Sequence, residues 1–260
     1  QKTAYEIRLS LVGSEMCIRD RRGIAGGEMV DGRIRHRIGG RARHDDHDEE
    51  METMNATATQ RKQRVEWSFA SRALPGETVS GDLHVVTPWS NGWLVGVVDG
   101  LGHGDEATAA ARIAVAVLEQ HAGEPVVALV EHCHRALQRT RGVVMTVVSL
   151  NARDETLAAL GVGNVETVIC RANPQGRSRH ESVMLRSGVV GYNLPALQAS
   201  VVPIAAGDMV VFGTDGVRED FADLVNPAEE PQQLSAKILE QKFRGTDDGL
   251  VLACKYLGRT

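Results

Sequence analysis

The order in which residue periodicities follow one another limits the fold of this chain more than any other property. Val65, Trp67 and Phe69 alternate with polar residues, which predicts a half-buried strand. Residues 83–86 form a second short strand, and the nearly continuous apolar run 93–98 a third, buried on both faces. The period then turns helical. Asp105 and Glu106 suit a first turn, where negative charge meets the helix dipole, and Ala110, Ile113, Val117 and Leu118 supply an apolar face that ends at Gly123. A second helix starts at Pro125 and repeats Val126, Val130, Cys133 and Leu137. Short Val-rich strands follow over 143–150, 156–160, 165–170, 182–186 and 209–213, separated by turn signals such as Asn173-Pro174-Gln175-Gly176 and Ala206-Gly207-Asp208. A helix over about 231–243 and a buried strand over 250–254 close the pattern. This is not the regular βαβ alternation of a doubly wound sheet. It predicts an α+β fold, with antiparallel sheets inside and helices outside.

Bulk properties remove several function classes. The 260 residues are 42% hydrophobic and 24% charged, which fits a globular protein with a real core. A formal charge of −5 gives no basic footprint for nucleic acid. No apolar run approaches the ~20 residues that span a bilayer, so no membrane partner is expected. Cys17, Cys133, Cys170 and Cys254 are scattered without a CxxC pair, which reads as reduced thiols and a cytoplasmic location.

The first sixty residues read differently. LVGSEMCIRD, residues 11–20, looks like the in-frame translation of a sequencing-library adapter, so residues 1–21 are expected to be a scar. Residues 22–61 mix Gly pairs, Arg and His with an acidic run and no apolar period. They are expected to be a disordered leader or untranslated upstream sequence, with Met51 and Met54 as native starts and the folded domain at 62–260. His44 and His47 have metal-ligand spacing, but a solvated charge run accounts for them.

Chemistry is expected where buried strands end. Asp99-Gly100 follows one apolar run and Thr214-Asp215-Gly216 another, Asp82 follows Gly81, and Asp247-Asp248 precedes the last strand. Aspartate before glycine is ordinary turn chemistry. It is also a carboxylate on rigid backbone with room for a ligand. If several converged, like charges ~4 Å apart would repel by about 4 kcal/mol at an effective dielectric of 20, so protonation or a cation would be needed. Carboxylate ligation suits Mg²⁺ or Mn²⁺ rather than Zn²⁺. Local pattern leaves turn and ligand both open.

The segments SGDLHVV, VVDGLGHGDEA, LGVGNVE, VVFGTDGV and TDDGLVLACKY stand in the order and spacing of a PP2C-like metal-dependent protein phosphatase. The chain resembles the SpoIIE/RsbU branch, and PGETVSGD, GLGHG and LRSGVVGYNLP are most similar to its stand-alone RsbX type. The resemblance covers residues 65–257 and implies an αββα sandwich of two antiparallel sheets flanked by helix pairs. It implies two Mn²⁺ or Mg²⁺ ions held by Asp82, Asp99, Asp215 and Asp247, with Asp99 bridging, the Gly100 carbonyl assisting and Asp248 the lesser member of its pair. The implied reaction is phosphomonoester hydrolysis by a metal-activated water, with no covalent enzyme intermediate. The implied substrate is a phosphorylated STAS-domain protein of a partner-switching pathway controlling a stress response or a sigma factor. Where many relatives place a histidine after the first Asp-Gly, this chain has Leu101. His103 and, before the Pro-Gly turn, Arg72 are only weak candidates for acid and phosphate contact.

Two other readings stay on the table. One is a non-catalytic phosphoprotein-binding regulator on the same fold, and the other a phosphatase of a small phosphate metabolite. DGLGHG is neither GxGxxG nor a P-loop. His132, Cys133 and His134 do not share a helix face at i and i+2, so they are expected at the core edge and surface rather than on one metal.

Overall fold

The computed structural model describes residues 65–258 apart from Gln175 and Arg177. The expectations for residues 1–61, for His44 and His47 and for a domain start at residue 62 lie outside the described residues.

The predicted order of elements is present. β1 (Val65–Arg72), β2 (Asp82–Trp89) and β3 (Gly92–Gly100) precede α1 (Asp105–Gln120) and α2 (Val126–Leu137). Then come β4 (Val143–Asn151), β5 (Thr156–Val162), β6 (Glu166–Cys170), β7 (His180–Ser182), β8 (Leu185–Arg186), β9 (Ser200–Pro203) and β10 (Met209–Gly213). A 3₁₀ helix (Glu219–Leu224), α3 (Pro231–Lys242) and β11 (Gly249–Tyr256) end the fold. One sheet runs β1-β11-β10-β6-β7; the other runs β2-β3-β4-β5-β8, with β9 also on β5. All pairs between strands are antiparallel except the two-residue β5–β8 pair.

Three apolar layers hold four structural ones together. Between the sheets, Val95, Val97 and Val148 of one face meet Val210, Phe212 and Leu252 of the other. Outside the β2–β5 sheet, α1 and α2 cover Val98, Met145 and Val147. Outside the β10–β11 sheet, Leu234 and Ile238 of α3, with Phe221 of the 3₁₀ turn, cover Val211 and Val251. The result is the αββα sandwich, with one helix pair on one side and, among the described residues, a single α-helix plus a 3₁₀ turn on the other.

Several sequence expectations are refined. Trp67 and Phe69 do lie on the β1 face shared with buried Cys254 and Leu252, yet they are 41% and 43% exposed, because β1 is an edge strand. They pack instead on the His84 ring. Ile113 is 37% exposed, and the buried face of α1 is built from Ala107, Ala110, Ala111, Ala114 and Leu118. The reason is proximity: a Cβ at Gly100 would collide with the Ala107 carbonyl, so only small side chains fit under α1. The strand predicted over 182–186 is two, β7 and β8, and the chain passes from one sheet to the other through Val183 and Met184.

Candidate active site

Four strand ends meet at one edge of the sandwich. Asp82 opens β2 and faces Asp99, near the end of β3, across the ladder. Asp215 follows β10, and Asp247 precedes β11, its neighbour in the other sheet. Each carboxylate sits where a ladder stops, so rigid strands carry the groups while their tips leave the sheet. Asp99, Asp215 and Asp247 line a cleft of about 440 Å³ together with Leu101, Gly102, Asn164 and Ser187. Asp82 lies behind it, 4% exposed.

Hydrogen bonds aim these groups. The Thr214 hydroxyl donates to Asp82 Oδ2 at 2.8 Å and accepts from the Leu250 amide at 2.9 Å, so one side chain ties the two sheets together at the site. Asn164 Nδ2 donates to Asp215 Oδ2 at 2.8 Å. Asp248 has a different task. Its two oxygens accept the amides of Leu74 (2.7 Å) and Gly81 (2.6 Å), and it is 3% exposed. It fixes the loop before β2 and is not among the residues that line the cleft. Gly216 is obligatory beside it, since a Cβ there would collide with the Asp248 carbonyl.

Electrostatics show that the carboxylates converge. Burial, then the charges of Asp82, Asp215, Asp247 and Asp248, push the Asp99 carboxyl up to about 9. Burial raises Asp82 to about 7, against the Thr214 hydrogen bond, with Asp248, Asp215 and Asp247 adding to the rise. Asp215 is raised by burial and by Asp247, and lowered by the Asn164 hydrogen bond and Arg244. Acidic groups that raise one another in this way favour protons or cations. An all-oxygen donor set with room for water fits Mg²⁺ or Mn²⁺.

The remaining sequence candidates stand apart from this lining. The His103 Nδ1 is 2.7 Å from Glu77 Oε1 on the exposed side of the glycine loop. Arg72 stacks over the Phe243 ring, 5.1 Å from its centroid. Residue-type reasoning missed Thr214 and Asn164. Both lie inside the quoted segments VVFGTDGV and LGVGNVE, but neither type announces a role until its partner is known.

Comparison with known proteins agrees with this geometry. The model of the family described as Stage II sporulation protein E (SpoIIE) matches residues 90–255. The phosphoserine phosphatase RsbX of Bacillus subtilis (strain 168) is 23% identical over 142 residues, covering 55% of this chain and 69% of that protein. A chain from a structural study of the bacterial stressosome, as a modular system adapted to control secondary messenger signalling, is 30% identical with a TM-score of 0.68. That alignment covers 74% of this chain and 100% of the other. RsbX in complex with magnesium aligns with a TM-score of 0.65 and 19% identity over 75% of this chain and 99% of that one. A strand-end carboxylate cleft on an αββα sandwich, with a family match over more than half its length, places this chain in the SpoIIE family of PP2C-like proteins.

Proposed function

We propose that this chain, through a domain of residues 62–260, is a metal-dependent protein serine/threonine phosphatase. Its substrate is a phosphorylated STAS-domain protein in a partner-switching pathway of the cytoplasm. One observation carries the reading: four carboxylates from four strand ends of both sheets converge, and the leading influences on Asp99 are burial and negative charge. The similarity to a phosphoserine phosphatase and to a stressosome-associated chain supports the substrate class.

Asp82, Asp99, Asp215 and Asp247 would hold two Mn²⁺ or Mg²⁺ ions, with the Gly100 carbonyl assisting. Such ions polarise a phosphoryl group and lower the pKa of a bound water that attacks in line. The chain's own part is placement. Thr214 holds one oxygen of Asp82, leaving the other for a cation. Asn164 orients Asp215 in the same way. Arg141 reaches Gly102 at the cleft rim and bonds Glu106, where its charge would meet the phosphate. The cleft, about 440 Å³, has room for a phosphorylated side chain presented on another protein. No helix among the described residues is long and apolar enough to cross a membrane.

The test is release of phosphate from a phosphorylated STAS protein with Mn²⁺. Wild-type protein is expected to release it, and Asp99→Asn to be silent. Equal rates would sink the two-metal reading. Hydrolysis of small phosphate esters alone would move the substrate to a metabolite, and phosphoprotein binding without turnover would make the chain a regulator.

A further inference from the structure

A second cluster of ligating side chains lies in the α1–α2 turn, and the phosphatase reading makes no use of it. His121 caps the C-terminal end of α1, Glu124 sits in the turn, and His132 faces back from α2. The Glu124 carboxylate bridges both rings: Oε1 is 2.8 Å from His121 Nδ1, and Oε2 is 2.8 Å from His132 Nε2. The two rings stack with centroids 4.4 Å apart and planes 12° apart. One ligand atom from each residue lies within 4.8 Å of the others, the one such His/Cys/Asp/Glu group found among the described residues.

The surroundings hold this trio in place. The Glu124 amide donates to the His121 carbonyl at 2.8 Å, closing the turn. Beside His132, Cys133 is buried with its thiol on the Ala114 carbonyl, and the His134 Nδ1 accepts the Gly191 amide. The grouping of His132 with Cys133 and His134 in sequence is therefore replaced in space by His121, Glu124 and His132. The side chains are 27%, 42% and 28% exposed, so an ion can reach them from solvent.

We propose that His121, Glu124 and His132 form a transition-metal site, best suited to Zn²⁺, that clasps the α1–α2 hairpin away from the aspartate cleft. Two imidazoles and one carboxylate, with a water completing a tetrahedron, suit Zn²⁺ and discriminate against Mg²⁺, whereas the aspartates prefer the reverse. Zinc bonds of roughly 2.0–2.2 Å put ligand atoms about 3.3 Å apart in a tetrahedron. With the carboxylate binding through one oxygen, the three ligand atoms, now within 4.8 Å of one another, must close to that spacing, and the stacked rings must turn so that both nitrogen lone pairs meet the ion. α1 separates the two sites: its first turn follows the glycine loop at the cleft, and its far end, ~24 Å away for sixteen residues, carries His121.

Arg135 works against occupancy. Its Nη2 lies 2.6 Å from His132 Nδ1, which therefore accepts, so Nε2 carries the proton shared with Glu124. Metal at Nε2 requires the other tautomer, with Nδ1 protonated, and the exposed Arg135 must swing away. The site thus carries a built-in competitor of like charge to the ion.

The test uses the full chain, stripped of metal and held in excess Mg²⁺ to fill the carboxylate cleft. Co²⁺ is then titrated as a spectroscopic probe. One equivalent is expected to develop the intense visible absorption of a four-coordinate centre, and Zn²⁺ to abolish it. His121→Ala and His132→Ala should each weaken Co²⁺ binding by about 100-fold or more, since even an outer partner of a ligand is worth 10–100-fold. Arg135→Ala should tighten it several-fold. All three should keep the metal-free melting temperature and the Mn²⁺-dependent activity of the wild type. An absence of visible absorption in the wild type, or an unchanged spectrum when both histidines are replaced, would overturn the proposal.

Discussion

The two ends of β10 lead to aspartates, one buried and one half-buried, that the protein treats in opposite ways. At the start, Asp208 is 2% exposed and fully matched. Arg171 Nη1 lies 2.9 Å from its Oδ2, and the amides of Ala172 and Ala205 donate to the same carboxylate. Arg171 also grips Glu181 with two bonds and the Pro203 carbonyl with another. At the other end, Asp215 points into a cleft with Asp99 and Asp247, and its neutral partner is the Asn164 amide. One strand of five residues thus joins a closed ion-pair network to an open cluster of like charges. A buried charge that exists for stability brings its counter-charge with it. At the Asp215 end the neighbouring Asp247 raises the carboxyl more than Arg244 lowers it, which fits the proposed cation site.

Substitutions in the two clusters should therefore move stability in opposite directions. Asp99→Asn should lower Mn²⁺-dependent phosphatase activity by about 10³-fold, as loss of roughly 4 kcal/mol of transition-state stabilisation predicts, measured as phosphate release. The same variant should melt higher than wild type when both are metal-free at a pH above about 9, where the Asp99 carboxyl would otherwise be a charge among charges. Arg171→Ala should do the reverse, leaving Asp208 and Glu181 without their cation. A cost of about 3–5 kcal/mol is expected, with the melting temperature falling by roughly 10 °C with or without metal. If both variants shifted melting the same way, the contrast between the ends would fail.

The pH dependence sharpens the same contrast. Asp82 and Asp99 hold protons more tightly in the folded protein, at about 7 and about 9, than at the ordinary 3.8 of the unfolded chain. Their contribution to stability is complete below 3.8 and is lost as pH rises through those values. Metal-free protein should consequently melt several degrees lower at pH 9 than at pH 6, and saturating Mn²⁺ should remove most of the difference. Scanning calorimetry at the two pH values checks this, and a flat profile without metal would contradict it.

Smaller effects test the supporting shell. Asn164→Ala frees Asp215 and should cost about tenfold in activity or Mn²⁺ affinity, read from a metal titration of the rate. His103→Ala should change the rate less than about twofold, because His103 pairs with Glu77 on an exposed loop. A large loss there would restore His103 as a proton donor.

Much of this was legible in the chain because two physical signals are strong. A period change from strand to helix and back is forced by burial, and it located the long elements within a few residues. An aspartate beside glycine or just before a buried strand marks a carboxylate on rigid backbone, and four such aspartates, two of them Asp-Gly at the end of a buried run, lie at one edge of the sandwich. The signals that failed are those with no local expression. β8 and β9 are short and take their places from β5 rather than from their own residues. α1 buries alanines because Gly100 brings its backbone close, a fact of the partner strand and not of the helix sequence. Asp247 and Asp248 are adjacent and chemically identical, yet only three-dimensional placement assigns one to the cleft and the other to the amides of Leu74 and Gly81.

The Asp248 clasp also dictates when the site can exist. Its bonds to Leu74 and Gly81 close loops of 174 and 167 residues, among the longest-range contacts in the molecule. β11, which starts at the next residue, lies between β1 and β10 in its sheet. Such distant pairings are slow to form, since their loop entropy is lost before any contact rewards it. Until β11 leaves the ribosome a nascent chain lacks Asp247, Asp248 and the strand between β1 and β10, so it cannot form the cleft. Phosphatase activity should therefore switch on only after β11 has been released.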